Sequence, residues 1–254
     1  MNTTSLASVA APRIRRTRLV ALLLFAFVAA YVVLAASYRG PSLTAALDLM
    51  DIVMPLAAAA VCFVAAKRAT DKRQHIFWLL MVVALLASAG AEATWAWYEL
   101  VARIMAPYPS PADVLWLAFY PLVFIAIMVL VSFRGKDKLS AAAMALDVFT
   151  FGVASLAVIW QLGILATVHS SANSLINLVN VAYPVGDVVL LAALASLALI
   201  PAGRRRPSGI LWLAPSFLIN ILADFVYLVA NGNGTYATGS WIDPLWVLAY
   251  AFIG

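Results

Sequence analysis

Charge is scarce in this chain. Only 11% of its 254 residues are Asp, Glu, Lys or Arg, roughly half of what a soluble domain carries. Cysteine is scarcer still: Cys62 stands alone inside an apolar run, which excludes a disulfide framework and a thiolate metal site. The two histidines, His75 and His169, fall at opposite ends of apolar runs, so no pair of imidazoles is arranged for a metal or a haem. No lysine lies inside an apolar run, which removes the anchor a retinal Schiff base would need. There is no glycine-rich phosphate loop, no nucleophile elbow and no zinc-protease helix motif. These residues carry no catalytic site and call for no cofactor or metal.

Apolar sequence is what the chain has in abundance, at 65% of all residues. Eight apolar segments follow one another: Arg18 to Tyr38, Ala45 to Ala66, Ile76 to Val101, Ala112 to Phe133, Ser140 to Val168, Leu175 to Ile200, Gly209 to Ala230, and Trp241 to Gly254. Most are long enough to cross a hydrocarbon core of about 30 Å at 1.5 Å per helical residue. The expected fold is all-α, a polytopic bundle of about eight transmembrane helices. Residues 1–17 form a basic cytoplasmic N-terminus and residues 18–254 the membrane module.

The positive charges orient it. Of the 16 lysines and arginines, fourteen fall in four clusters: Arg13/Arg15/Arg16/Arg18, Lys67/Arg68/Lys72/Arg73, Arg134/Lys136/Lys138 and Arg204/Arg205/Arg206. Each lies in every second connection, as the preference of cationic loops for the cytoplasm requires. Arg39 and Arg103 occupy the alternate, outer connections. The net charge of +5 is therefore a topology signal facing anionic lipid, and no nucleic-acid partner is expected. The eighth segment is too short to span, and a helix ending in mid-bilayer would strand its last carbonyls in hydrocarbon. The expectation is a longer protein whose remainder emerges in the cytoplasm.

Related text recurs where segments begin on the outer side. It reads Tyr108-Pro109-Ser110-Pro111-Ala112-Asp113, then Tyr183-Pro184-Val185-Gly186-Asp187, then Ser240-Trp241-Ile242-Asp243-Pro244, with a looser version around Asp48 and Asp51. A two-helix hairpin repeated three or four times accounts for it. Ser110 with Asp113 and Ser240 with Asp243 fit the Ser-x-x-Asp pattern of a helix start, where serine and carboxylate satisfy free N–H groups reciprocally. Asp187 has no such serine.

Other carboxylates lie away from helix starts. Glu92, Trp95 and Glu99 share one face of the third segment, while Asn220, Asp224, Tyr227 and Asn231 form a polar stripe on the seventh. Asn173, Asn177 and Asn180 lead to Tyr183 and Asp187. All belong to the outer half, where eight carboxylates face two cations, Arg39 and Arg103. Intramembrane acids are costly and face protein or a wet cavity. Three readings stay open: polar glue between helices, a pocket for a small ligand or cation, and a proton or ion path. The candidate residues are Glu92, Trp95, Glu99, Asp113, Tyr183, Asp187, Asn220, Asp224, Tyr227 and Asp243.

The blocks Pro-Ser-Pro-Ala-Asp113-Val-Leu-Trp-Leu-Ala-Phe-Tyr-Pro121, Ala-Tyr183-Pro-Val-Gly-Asp187, Leu-Ala-Asp224-Phe-Val-Tyr227 and Gly-Thr-Tyr236 through Gly-Ser-Trp-Ile-Asp243 together resemble one family. It is the multi-helix N-terminal sensory region of bacterial membrane-bound diguanylate cyclases of the GGDEF type, found also on some sensor histidine kinases. The resemblance covers about residues 75 to 254. It implies a bacterial inner-membrane location, a C-terminal cytoplasmic output domain, and homodimerisation through that domain. The output signatures themselves are absent from these residues. The alternative, drawn from the intramembrane acids and from Pro55, Pro121 and Pro215, is a small hairpin-repeat transporter or ion channel.

Overall fold

The computed structural model describes residues 3–37, 40–131, 150, 153, 157, 174–198 and 212–254. The elements are α1 (Thr3–Ser37), α2 (Pro41–Arg68), α3 (Lys72–Ala96), α4 (Pro111–Val131), α5 (Ser174–Ala198), α6 (Leu213–Gly232) and α7 (Asp243–Ile253). No strand occurs among the described residues. The chain is an all-α bundle, and six of its helices, α1 to α6, are long and apolar enough to cross a membrane. The fifth expected segment, Ser140 to Val168, lies outside the described residues apart from isolated positions, as do the basic clusters at 134–138 and 204–206.

The first span falls over Arg18–Ser37, as expected, and the helix that carries it, α1, begins further back at Thr3. The eighth segment is helical only over Asp243–Ile253; Trp241 precedes the helix and is exposed.

The helices pack in chain order. Each of α1 to α4 lies against its successor, α4 continues to α5, α5 to α6 and α6 to α7. Helix α7 then returns to pack on both α2 and α1. Helices α2 to α7 thus close a ring, and α1 lies across the seam.

Small residues allow the close approaches. Ala58, Ala66, Ala84 and Ala91 are fully buried, and helices associate in lipid by such backbone proximity. At the far end of α7, a Cβ on Gly254 would lie 3.1 Å from Ala58 Cα. The half of the ring near the basic Lys67/Arg68/Lys72/Arg73 turn is filled with Met54, Cys62, Phe77, Met81, Leu85 and Ile127, all buried. His75 is engaged in that turn, its Nδ1 lying 2.9 Å from the Ala66 carbonyl. Leu22, Leu23, Val33 and Val114 are exposed, as side chains that meet lipid would be.

Candidate functional site

At the opposite end the ring encloses a cavity of about 400 Å³, within the size range of small-molecule sites. Seven carboxylates line it: Asp48, Asp51, Glu92, Asp113, Asp187, Asp224 and Asp243. No lysine or arginine among the described residues does. Arg103, which ends the α3 extension in a left-handed conformation (φ 52°), is exposed and takes no part. Arg39 lies outside the described residues.

Each carboxylate has its own local origin. Asp113 sits in the first turn of α4, where its Oδ2 accepts from the Ser110 N–H at 2.6 Å and from Ser110 Oγ at 3.1 Å. Ser110 Oγ in turn accepts from the Ala112 N–H at 3.2 Å. This is the reciprocal cap expected of Ser-x-x-Asp. Asp243 repeats it on α7, accepting from the Gly239 N–H at 2.6 Å and from Ser240 Oγ at 3.2 Å. The cap uses only part of Asp113, however. Its Oδ1 accepts from the Tyr183 hydroxyl at 2.9 Å, tying α4 to α5.

Asp187 departs from the repeat. It lies well inside α5, with Pro184 also within the helix, so the Tyr183–Asp187 block does not start a helix. Without a serine at the capping position nothing ends the hydrogen-bond ladder there, and a membrane helix tolerates an internal proline. The block's glycine has a tertiary purpose. A Cβ at Gly186 would stand 2.5 Å from ring carbons of Tyr120, so only glycine lets that ring lie against α5.

Tyr120 and Asp224 form the centre of the polar network. Asp224 Oδ2 accepts from the Tyr120 hydroxyl at 2.7 Å and from Asn220 Nδ2 at 2.9 Å. Its Oδ1 accepts from Trp246 Nε1 at 2.7 Å. The Tyr120 oxygen also lies 3.3 Å from Asp187 Oδ1. One phenol and one carboxylate therefore join α4, α5, α6 and α7. Around them, Trp116 Nε1 donates to Glu92 Oε1 at 3.1 Å, the Tyr31 hydroxyl donates to Asp51 Oδ2 at 3.0 Å, and the Tyr108 hydroxyl donates to Asn180 Oδ1 at 2.5 Å. The stretches leading into α4 and α7 supply two phenols that stay protonated. Tyr108 is held above its ordinary value of 10.0 by burial, and Tyr236 well above it by burial and then by the carboxylate of Asp243.

Of the ten candidates, nine line this one cavity: Glu92, Trp95, Asp113, Tyr183, Asp187, Asn220, Asp224, Tyr227 and Asp243. Glu99 does not. The backbone after α3 widens into a π-helical turn over Trp97–Ala102, and the extra residue rotates Glu99 off the face it would share with Glu92 in a regular helix. It is nevertheless one hydrogen bond away, its Oε1 accepting from Thr238 Oγ1 at 2.7 Å and from Trp95 Nε1 at 3.2 Å. Asn231 is exposed at the end of α6 and Asn173 lies outside the described residues.

Several lining residues were not among the candidates, notably Tyr120, Trp116, Tyr236 and Trp246. Their signal was ambiguous, because aromatic residues gather at membrane interfaces whatever their role. Asp48 and Asp51 belonged to the loosest copy of the repeat. Among the described residues no group of three or more His, Cys, Asp or Glu side chains is placed to hold a metal ion. The site is a chamber of dispersed acids and aromatic donors.

The chain matches no family model, no curated protein and no solved structure.

Proposed function

We propose that these residues form a membrane sensory module of eight spans, with its N-terminus in the cytoplasm of a bacterium and its cavity in the outer half of the inner membrane. In this reading the cavity receives the stimulus, and α7 passes it to a C-terminal cytoplasmic output domain, a diguanylate cyclase by the resemblance of the sequence blocks. Homodimerisation would come from that domain.

One observation carries the reading. Helix α7 contributes Asp243, Trp246 and Tyr250 to the cavity lining, and the same eleven-residue helix packs its other end on α1 and α2. At that end Cys62 Sγ faces the Ile253 carbonyl at 4.0 Å. Any change at Trp246 is therefore transmitted to the α1–α2 seam within one rigid element. A ligand can shift such an element only by binding two helix arrangements unequally, and the Trp246–Asp224 hydrogen bond is a contact that two arrangements would not share. The apolar filling beneath the cavity, from Leu85 to Met54 and Ile127, favours sensing over transport, since among the described residues no polar path continues inward.

The test uses the native gene in its own membranes. Trp246→Ala and Asp243→Asn are expected to change the conversion of GTP to cyclic diguanylate while protein levels in the membrane stay constant. Unchanged output from both variants would sink the reading. An antibody to residues 1–18 should detect a product well above 27.2 kDa. A product of 27.2 kDa would remove the output domain from the proposal and favour a test of ion flux in proteoliposomes.

A further inference from the structure

Most carboxylates of the cavity accept from protein donors, and two buried carboxylate oxygens in or beside it have no partner among the described residues. Asp48 is only 3% exposed and lines the cavity, yet its Oδ2 has no hydrogen-bond partner among the described residues. Glu99 Oε2 is likewise buried without a partner, although its Oε1 is held by Trp95 and Thr238. A buried carboxylate oxygen left without a donor is costly, and the cost is larger in the outer half of a membrane protein than in a soluble core.

The two side chains belong to one neighbourhood. The loop that carries Thr238 lies against the turn of α2 that holds Asp48, where a Cβ on Gly239 would come 3.3 Å from Leu47 Cδ1. Acidic side chains brought together with unfilled acceptors suit a cation that donates hydrogen bonds. A bare metal ion fits poorly, because hard cations take six or more oxygens converging on a point and no such group exists among the described residues. A quaternary ammonium has no N–H to give. A primary ammonium has three donors on one nitrogen, and its alkyl part would lie among Trp95, Trp116 and Tyr227, which also line the chamber and attract cations through their ring faces.

We infer that the cavity is a binding site for a primary alkylammonium ion, with Asp48 in the lining as the acceptor of its N–H groups and Glu99, held just behind the lining by Trp95 and Thr238, adding negative charge. This rests on the reading of the cavity as the stimulus site. It adds the chemical class of the stimulus.

The probes are 1,4-diaminobutane and n-butylammonium chloride, titrated calorimetrically into the chain in phosphatidylcholine nanodiscs. Neutral n-butanol and tetramethylammonium chloride serve as the matched comparisons. Both amines are expected to bind saturably, with n-butanol and tetramethylammonium at least about ten-fold weaker. Asp48→Asn should weaken amine binding by about ten-fold or more, while leaving the unliganded protein at least as heat-stable as before, since a costly buried carboxylate has been removed. Glu99→Gln, which retains an oxygen for Trp95 and Thr238, should weaken binding in the same direction and serves if Asp48→Asn does not assemble. Equal binding of n-butanol, unaltered affinity in both variants, or no saturable binding of either amine would each overturn the inference. Absence of amine binding alongside a changed output in Trp246→Ala would remove the ligand class and leave the sensory reading standing. Amine binding with unchanged output in that variant would do the reverse.

Discussion

The hydroxyl of Tyr120 donates to Asp224 Oδ2 at 2.7 Å, across 104 positions of sequence. The same oxygen lies 3.3 Å from Asp187 Oδ1, but a phenol has one proton and can give it to only one carboxylate. The shorter contact marks Asp224 as its recipient. Because Asp224 also holds Asn220 and Trp246, the geometry of α7 depends on a tyrosine that α7 does not touch in sequence or repeat.

Removing that hydroxyl should therefore loosen the bundle modestly. Tyr120→Phe is expected to cost about 1 kcal/mol, the net worth of one buried hydrogen bond. Asp224→Ala, which orphans three donors, should cost about 3 kcal/mol or more. Thermal unfolding in detergent or nanodiscs reads both. Equal effects would show that Asp224 is not the hub.

Gly186→Ala should cost about 1–3 kcal/mol by overpacking, because the new methyl meets the buried Tyr120 ring at 2.5 Å. The loss should shrink in a Gly186→Ala/Tyr120→Ala background relative to Tyr120→Ala alone. A double-mutant cycle detects that coupling, and strict additivity would mean the two residues do not meet.

The two helix starts should respond unequally to mutation. Ser240→Ala and Ser110→Ala each remove a cap worth about 1 kcal/mol. Asp113→Ala should cost more than Ser110→Ala, because it also releases Tyr183 on α5. A melting series of the three variants tests the order.

Orientation can be read with single cysteines, since native Cys62 is buried. Ala237→Cys, in the loop between α6 and α7, should react with an impermeant maleimide added outside intact cells. Ala69→Cys, in the turn between α2 and α3, should react only after the cells are opened. The opposite pattern would invert the topology drawn from the basic clusters.

In the native gene, Glu92→Gln and Asp224→Asn should alter output while the protein remains in the membrane fraction. Failure of both variants to assemble would instead assign the acids to holding helices together.

Hydropathy, the basic turn at Lys67 to Arg73 and the two Ser-x-x-Asp starts were legible in the sequence alone, because each depends on residues within a few positions of one another. Length decides whether a helix can cross lipid, loop charge decides which side it faces, and a capping pair is complete within one turn. Tertiary structure decided what those elements build. Helix rotation and the return of α7 to α2 brought Asp48, Glu92, Asp187 and Asp224 to one chamber, and the π turn at Trp97–Ala102 took Glu99 off the lining face. Neither is written in local periodicity. Which face of a membrane helix turns inward depends on where its neighbours allow backbones to touch, as Gly186 does for Tyr120, and that is a property of pairs of residues far apart in the chain.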